Sequence, residues 1–384
     1  MKNSAALFIL FFSLVKLCAQ ENDSIWIHRG NVAYDSSLYA ESVVHYEKAI
    51  AVNPKDANAY WHLGNALNKL EKDSEAIEQF TKAIALNPKN KKYYLDKGWS
   101  ESRSDKLPEA IEDYNKAIAL DSNYALAYSN RGVAEKKMKN YPAAIKDYKK
   151  AIAIKPDFSW PYNNLAIILT LQQKYEEAID DFSIAIELNP KYVDALYGRG
   201  RAENFMGKYA DAVEDYNKAI KYSPDYAKAY TGRGLAYANL KKRRKAKKDY
   251  NRAIALSSKN DFENTAWAYN DRGCIYLNRK KYSRAIADFN NAIQFDSQLK
   301  EPYCNRGIGR DKLKQYGEAI TDFNQSIELD STYARAWDKK GISEAHLKNY
   351  PAAVADFKKA IALDPLNRWY QKDLDDWQTY LWAQ

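Results

Sequence analysis

The stretch ALAYSNRGVAEKKMKNYPAAIKDYKKAIAIKPDF, residues 125–158, decides the fold of this chain of 384 residues. It contains two amphipathic stretches of helical length, joined by a short polar turn. Pro142 opens the second stretch, where the missing backbone N–H costs nothing, and Pro156 ends it. The small residues Gly132 and Ala151 mark places where the helices approach closely. A two-helix unit cannot bury its own apolar face, so such units must stack.

The same pattern recurs along the chain with a period of 34 residues. Glycine follows this period from Gly30 to Gly234, with Ala166 at one position. After a shift of five residues, the period resumes at Gly273 and continues to Gly341. A period in this range is typical of stacked repeat units rather than of a single compact core.

The repeated unit resembles the tetratricopeptide repeat family from residue 23 to about residue 367. The resemblance implies an all-α fold, an α-solenoid of about ten two-helix repeats in a right-handed superhelix. The family's aromatic, Gly, Ala, aromatic, Ala and Pro positions are matched in the fourth copy by Tyr128, Gly132, Ala144, Tyr148, Ala151 and Pro156. We expect residues 20–367 to hold ten repeats that start near 23, 57, 91, 125, 159, 193, 227, 266, 300 and 334, with a five-residue insertion between the seventh and eighth.

The last segment, residues 368–384, lacks the repeat pattern. We expect it to form a capping helix over the final repeat. The alternative is that Trp369 and Trp382 are exposed and dock a partner. The apolar stripe that predicts the cap is formed by Tyr370, Leu374, Trp377 and Leu381.

Paired charges form a second regularity inside the repeats. A basic residue directly before the repeat glycine is followed sixteen residues later by Asp in seven copies. We expect a repeated ion pair between first and second helices, within a unit or across to the next; the alternative is that both residues are solvated. The pairs are Lys97–Asp113, Arg131–Asp147, Arg199–Asp215, Arg233–Asp249, Arg272–Asp288, Arg306–Asp322 and Lys340–Asp356.

The N-terminus is typical of a secretory signal. Lys2 precedes an apolar run over residues 5–15, which is about half the length of a membrane-spanning helix. We therefore expect residues 1–19 to be a signal peptide and the protein to be exported, in the periplasm or otherwise associated with the cell envelope. A lipoprotein attached through Cys18 is less favoured because Leu17 is bulky, and an uncleaved anchor is the other alternative.

The inward face of the first helices is where members of this family bind extended peptides or partner helices. We therefore expect a non-enzymatic scaffold whose partner is a protein or peptide. Aromatic side chains would supply rigid contact area and asparagines would hydrogen-bond a peptide backbone, although several could simply pack between helices. The groove candidates are Trp61, Asn65, Trp99, Asn130, Trp160, Asn163, Asn164, Tyr197, Arg201, Trp267, Asn270 and Asn305.

A cluster of positive charge occupies residues 241–248. The net charge of +9 falls to +7 when Lys2 and Lys16 leave with the signal, so the seven cations of the cluster equal the remaining excess. A solvated helix face, or contact with an acidic protein or an anionic membrane surface, would explain the cluster; nucleic acid is disfavoured because the chain is expected to be exported. This basic patch comprises Lys241, Lys242, Arg243, Arg244, Lys245, Lys247 and Lys248.

The sequence contains no pattern that predicts catalysis. It lacks a glycine-rich phosphate loop, a nucleophile elbow and a metal-spaced cysteine cluster, so we expect no enzymatic activity, no cofactor and no metal. Two alternative functions remain open. One is an accessory subunit of an export or surface-assembly complex, with the basic patch on an anionic membrane surface. The other is a glycan- or peptidoglycan-handling factor.

Overall fold

The computed structural model describes residues 22–256 and 261–382, and all regular secondary structure within them is α-helical. The predicted signal peptide lies outside the described residues. The chain divides after Leu188 into two compact units. The first unit contains α1 (Asp23–Asp35), α2 (Tyr39–Val52), α3 (Ala57–Lys69), α4 (Asp73–Leu86), α5 (Lys91–Arg103), α6 (Leu107–Leu120), α7 (Ala125–Lys137), α8 (Tyr141–Ile154), α9 (Ser159–Leu171) and α10 (Tyr175–Leu188).

The second unit follows the same plan with one extra helix at its end. Each unit is a series of helical hairpins, and each hairpin packs against the next one within its unit. The predicted all-α solenoid of two-helix repeats is confirmed. The helices of the second unit are α11 (Val193–Phe205), α12 (Tyr209–Tyr222), α13 (Ala227–Asn239), α14 (Arg243–Ala255), α15 (Phe262–Asn278), α16 (Tyr282–Phe295), α17 (Lys300–Lys312), α18 (Tyr316–Leu329), α19 (Ala334–His346), α20 (Tyr350–Leu363) and α21 (Arg368–Trp382).

An aromatic ring from the second helix fills the space between the two helices of each hairpin. The repeat glycine on the first helix leaves room for this ring because it has no side chain. A Cβ added at Gly132 would lie 2.7 Å from Cε1 of Tyr148, which is closer than real Cβ atoms approach. In the fifth repeat Ala166 stands at the glycine position, and the aromatic residue sixteen positions later is Phe182. The ten rings are at most 1% exposed: Tyr46, Phe80, Tyr114, Tyr148, Phe182, Tyr216, Tyr250, Phe289, Phe323 and Phe357.

The turn inside each hairpin places one residue in the left-handed region of φ. At the sixth repeat this residue is Gly207, with φ of +75°. Its N–H donates to the carbonyl of Asn204, and the next N–H, of Lys208, donates to the carbonyl of Glu203. These two bonds form the Schellman motif that closes a helix C-terminus. Glycine alone adopts this conformation without steric cost, yet the other nine turns use a residue with a side chain.

Replacing Gly207 by Ala is expected to destabilise the protein by about 1 kcal/mol, because the left-handed φ disfavours any side chain. The matched control is Gly317→Ala, inside α18, where helix propensity should stabilise by about 0.5–1 kcal/mol. Space does not distinguish the two sites, since nothing lies within 4 Å of an added Cβ at either. Urea denaturation of both variants measures the difference, and a shift of the same sign in both would contradict the backbone explanation.

The insertion between the seventh and eighth repeats lengthens a first helix. Helix α15 has 17 residues, whereas the other first helices have 13. It begins at Phe262, and Asp261 is its N-cap residue. The added turn therefore carries Asp261, Glu263 and Asn264 beside the regular repeat positions, where they line the pocket described below.

The paired charges form ion pairs inside seven of the hairpins. The guanidinium of Arg233 donates through Nε and Nη2 to the two carboxylate oxygens of Asp249, both at 2.8 Å. Arg131, Arg199 and Arg272 make the same two-bond contact at 2.6–2.8 Å. The Asp side chains in all seven pairs are 2–7% exposed, and the cations 17–21%. The pairing is thus largely buried on the acidic side.

The same arginines also join consecutive repeats. Nη1 of each of four arginines donates to an asparagine amide oxygen on the second helix of the preceding repeat, at 2.5–2.8 Å. One guanidinium therefore holds the two helices of its own hairpin and the hairpin before it. We call this contact the inter-repeat bridge. It is made by Arg131 to Asn115, Arg233 to Asn217, Arg272 to Asn251 and Arg306 to Asn290.

Helix α21 covers the end of the second unit. Tyr370 packs with Ala334 and Ala360, and Leu374 packs in the cluster that contains Phe357. Trp369 points away from this contact and is 70% exposed. The Leu381 and Trp382 side chains lie outside the described residues. No helix in the described part of the chain combines the length and the apolar character needed to cross a bilayer.

Candidate functional site

A pocket of about 490 Å³ lies in the second unit, between the first helices α11, α13 and α15. Its apolar lining comes from Tyr197 and Phe205 on α11, Leu235 on α13 and Trp267 on α15. Phe205 and Leu235 are exposed large apolar side chains, at 58% and 42%. Exposed aromatic and aliphatic groups around a concavity are characteristic of a binding site rather than of a core.

Two side-chain amides in this pocket have unused hydrogen-bonding atoms. The Nδ2 of Asn204 donates to the carbonyl of Gly232 at 3.1 Å and to the hydroxyl of Tyr216 at 3.0 Å. Its Oδ1 is buried and has no partner, and the same is true of Nδ2 of Asn264 on the added turn. Because both atoms are buried, they lie behind the pocket surface rather than on it.

The position of Gly232 is required by this arrangement. A Cβ there would lie 2.6 Å from Cζ of Tyr216 and 2.7 Å from its hydroxyl oxygen. Any side chain would displace the ring that supports the Asn204 amide. The absence of a side chain at Gly232 therefore leaves room for the Tyr216 ring, whose hydroxyl accepts a hydrogen bond from Asn204.

Charges of both signs surround the pocket. Arg201 and Lys228 contribute positive charge, and Asp261 and Glu263 contribute negative charge. Lys228 Nζ lies 4.0 Å from Oδ1 of Asp261. The Arg201 guanidinium lies 5.7 Å from the ring centre of Phe205. A ligand bound in this pocket would therefore need polar or charged groups at the rim and apolar groups at the centre.

Asp271 closes the pocket near the regular repeat position. Burial raises the pKa of Asp271 to about 6, an effect opposed by hydrogen bonds from Asn270 and Tyr250. Asn270 is itself buried, and its Oδ1 accepts from Nδ2 of Asn305 at 2.9 Å. Asn270 and Asn305 therefore belong to a buried polar chain between α15 and α17. They do not line the pocket, unlike Tyr197, Arg201 and Trp267.

In the first unit, Trp61 is held by protein groups. Its Nε1 donates to Oδ2 of Asp96 at 2.6 Å, and its ring packs beside Tyr93. Burial raises the pKa of Asp96 to about 6, while hydrogen bonds from Trp61 and Asn65 act in the opposite direction. Trp61 and Asn65 thus serve a contact between neighbouring first helices. This is the packing alternative that the sequence leaves open for some aromatics.

Two other tryptophans of the first unit, Trp99 and Trp160, remain accessible. Trp99 is 40% exposed with the Arg103 guanidinium 4.7 Å from its ring centre, and Trp160 is 54% exposed. Asn164 accepts from Lys136 at 2.6 Å. Asn163 is buried, and its Oδ1 has no partner. Asn130, on α7, is half-buried.

Several pocket residues could not be found from the repeat register. Glu263 and Asn264 belong to the insertion, which has no counterpart in other repeats. Asn204 lies in the last turn of α11, outside the inward positions that the register selects. The five-residue shift was the available signal, because an insertion beside a groove adds side chains to it.

The cysteines and acidic groups give no sign of a metal centre. Among the residues that the structure describes, no cluster of three or more His, Cys, Asp or Glu side chains could hold a metal ion. Cys274 and Cys304 are both free thiols. Burial raises the pKa of Cys274 to about 12 and that of Cys304 to about 11, so neither is a reactive thiolate at neutral pH.

Several solved structures share this architecture. A tetratricopeptide repeat protein from Parabacteroides merdae is 22% identical with a TM-score of 0.51, covering 66% of this chain and 98% of that one. The anaphase-promoting complex hetero-tetramer Cut9–Hcn1 is 14% identical with a TM-score of 0.53, covering 96% and 98%. YrrB, described as a protein with an unusual peptide-binding site, is 24% identical with a TM-score of 0.41, covering 53% and 99%. No curated protein sequence matches the chain.

Family models match along most of the chain. Models described as TPR repeat or tetratricopeptide repeat match residues 30–71, 57–90, 104–139, 125–158, 159–192, 200–241, 227–260, 266–299 and 304–368. These matches and the helical hairpins lead to one assignment. The chain belongs to the tetratricopeptide repeat family, whose members serve as protein-interaction scaffolds, typically without catalytic activity.

Proposed function

We propose that this protein binds an extended peptide segment of a partner protein in the pocket between α11, α13 and α15. The observation that carries the proposal is the concavity itself, where the exposed side chains of Phe205 and Leu235 stand with Trp267. Burying exposed apolar surface against a ligand is favourable by roughly 25 cal/mol per Å². An extended segment would place its side chains against the aromatic lining and its polar groups at the charged rim.

The lining residues give the proposed site its expected energetics. Trp267 supplies a large aromatic surface opposite Phe205 and Tyr197, the type of group that dominates binding energy at protein interfaces. Arg201 and Glu263 stand at the rim, where charges set orientation and partner choice more than affinity. The proposed centre of binding is therefore in the second unit, not at Trp99 and Trp160 of the first.

Selection from a random-sequence peptide library, followed by affinity measurement of an enriched peptide, tests the proposal. Trp267→Ala is expected to weaken binding by at least about tenfold, since truncation of a hot-spot aromatic typically costs that much or more. Phe205→Ala should also weaken binding, because this ring is 58% exposed at the pocket and can contact a ligand. Retention of full affinity in both variants would contradict binding in this pocket.

Trp99→Ala and Trp160→Ala serve as matched controls. Both remove exposed tryptophans on first helices of the first unit. The proposal expects peptide affinity to be unchanged in these variants. Loss of affinity in the controls alone would move the binding site to the first unit.

The proposed setting is the cell envelope. The support is the sequence of residues 1–19, where Lys2 precedes an apolar run of signal-peptide length. Expression of the full chain in a bacterial host, with mass determination of the product in the periplasmic fraction, tests export. A product that retains residues 1–19 in the cytoplasm would contradict it.

The second candidate function is an accessory subunit of an export or surface-assembly complex, held at an anionic membrane surface by the basic patch. The unpaired charge around the start of α14 favours it over glycan handling.

A further inference from the structure

We propose that the edge of the second unit at the turns after α13 and α15 binds the phosphate groups of anionic lipids on a membrane surface. This inference rests on the second candidate function and names its ligand. It does not depend on the peptide pocket. The turn after α15 and the first turn of α16 together add four cations to the basic patch. The eleven cations form the basic surface: Lys241, Lys242, Arg243, Arg244, Lys245, Lys247, Lys248, Arg279, Lys280, Lys281 and Arg284.

The charges of the basic surface are not neutralised by the protein. Within residues 22–256 and 261–382, none of the eleven cations lies at ion-pair distance from a carboxylate. The acidic residues between positions 240 and 290 are engaged elsewhere. Asp249 and Asp288 pair with Arg233 and Arg272. Asp261, Glu263 and Asp271 line the pocket.

The two turns form a concavity rather than a flat field of charge. A hollow of about 440 Å³ is lined by Lys241, Lys242, Arg243, Arg244, Lys245 and Arg279 alone. The volume is within the usual range for small-ligand sites and fits a lipid headgroup phosphate with its neighbouring groups. A ligand that enters this hollow meets cations from two consecutive repeats, so it requires negative charge.

Aromatic rings hold part of this surface in place. Lys245 Nζ lies 5.4 Å from the ring centre of Tyr237, and Lys247 Nζ lies 5.2 Å from that of Tyr276. Tyr237 and Tyr276 occupy the same position in successive first helices. The lysine stems therefore rest on the ends of α13 and α15, and the ammonium groups are less free than on an ordinary solvated helix.

The composition of the surface favours lipid phosphate over an acidic protein. Seven of the eleven cations are lysines, and lysine is depleted in the cores of protein interfaces while aromatic residues are enriched there. In segments 240–248 and 279–284 the one aromatic residue, Tyr282, is half-buried. Clustered Lys and Arg without an apolar centre are instead typical of attraction to anionic headgroups.

Co-sedimentation of the mature chain with vesicles tests the proposal. Vesicles of phosphatidylglycerol and phosphatidylcholine should bind the chain, and vesicles of phosphatidylcholine alone should not. The test variant combines Arg244→Gln, Lys245→Gln, Arg279→Gln and Lys281→Gln. Each cation near an anionic surface contributes roughly fivefold, so the variant should lose more than about tenfold in binding to the mixed vesicles.

The matched control removes the same charge from the first unit. It combines Lys55→Gln, Lys89→Gln, Lys106→Gln and Lys150→Gln, all exposed lysines outside the basic surface. The control should keep vesicle binding within about threefold of the unchanged chain. An equal loss in both variants would overturn the proposal, because it would show attraction to net charge rather than to this surface.

Two further arms separate the ligand sources. In the first arm, poly-glutamate and inorganic phosphate compete separately with the mixed vesicles for the protein. If poly-glutamate displaces the vesicles at a concentration where phosphate does not, the surface binds acidic protein and the lipid proposal is overturned. Tighter binding of a DNA duplex than of the mixed vesicles would overturn it equally. Trp267→Ala should leave vesicle binding unchanged. Failure of the lipid test with intact peptide selection would leave the pocket proposal standing, and the reverse result would leave the lipid proposal standing.

Discussion

Replacement of Tyr148 by Ala is expected to reduce the free energy of unfolding by about 3–5 kcal/mol, the usual cost of removing a large aromatic from a core. The ring is fully buried inside the fourth hairpin, and its Cε1 would lie 2.7 Å from a Cβ at Gly132. No neighbouring side chain can fill the space that glycine leaves open for it. Urea denaturation measures the loss.

Tyr148→Phe separates the ring from its hydroxyl. The Tyr148 hydroxyl is buried and has no hydrogen-bond partner, so its removal should stabilise the protein by about 1 kcal/mol. Tyr46→Phe is the matched control, because the Tyr46 hydroxyl donates to Oδ1 of Asn31 at 2.8 Å. That variant should lose about 1 kcal/mol. Equal destabilisation by both Phe variants would contradict the account of Tyr148.

Replacement of Asp249 by Ala is expected to cost about 3 kcal/mol, near the lower end of the range for breaking a buried ion pair. The carboxylate accepts two bonds from Arg233 at 2.8 Å, and the two side chains are 6% and 17% exposed. The change leaves a partly buried guanidinium without its counter-charge. Glu214→Ala, on the exposed face of α12, is the control and should change stability by less than about 0.5 kcal/mol.

A double-mutant cycle isolates the pair itself. Arg233→Ala, Asp249→Ala and the combined variant should give a coupling free energy above about 1 kcal/mol. Additive effects of the two single changes would contradict the ion pair. Asn217→Ala tests the inter-repeat bridge separately and should cost about 1 kcal/mol, because it removes a hydrogen bond to a charged group.

The period made most of the fold predictable from the sequence. A glycine and an aromatic sixteen residues apart must meet across a hairpin, and the recurrence of the spacing fixes one hairpin after another. The same spacing separates Arg233 from Asp249, so the ion pairs could also be predicted and are confirmed. The left-handed residue in each hairpin turn could not be predicted from residue type. Lys139 and Lys241 adopt the same left-handed conformation as Gly207.

The inter-repeat bridge was not predicted, although its signal is present. Asp, an aromatic and Asn occur together at 113–115, 215–217, 249–251, 288–290 and 322–324. The first four triplets precede a repeat with arginine before the glycine, and the last precedes Lys340. In those four, the Asp pairs with the cation of its own hairpin, while the Asn accepts from the arginine of the next repeat. Comparison of positions within one repeat reveals the ion pair inside the hairpin, but it does not reveal the asparagine contact, which joins two repeats.

The candidate site was predictable only in part, for the same physical reason. Tyr197, Arg201 and Trp267 occupy regular inward positions and do line the pocket. Asn264 comes from the insertion, where the repeat register no longer indicates which side chains face the groove. The sequence likewise predicted only residues 241–248 as a basic patch. Arg279 belongs to the next repeat and comes beside these residues only when the two repeats pack together.

The inter-repeat bridge also affects the junctions that duplication of a repeat would create. A duplicated copy of a repeat that carries both the arginine and the Asp–aromatic–Asn triplet brings its own junction with it, since its asparagine meets the arginine of its twin. The fourth repeat ends its triplet with Lys149, and the fifth has Leu165 in place of arginine. An arginine-bearing copy inserted between them would meet a lysine. Within repeats six to nine a duplicated copy would therefore keep the bridge at each new junction, whereas a copy inserted after the fourth repeat would not.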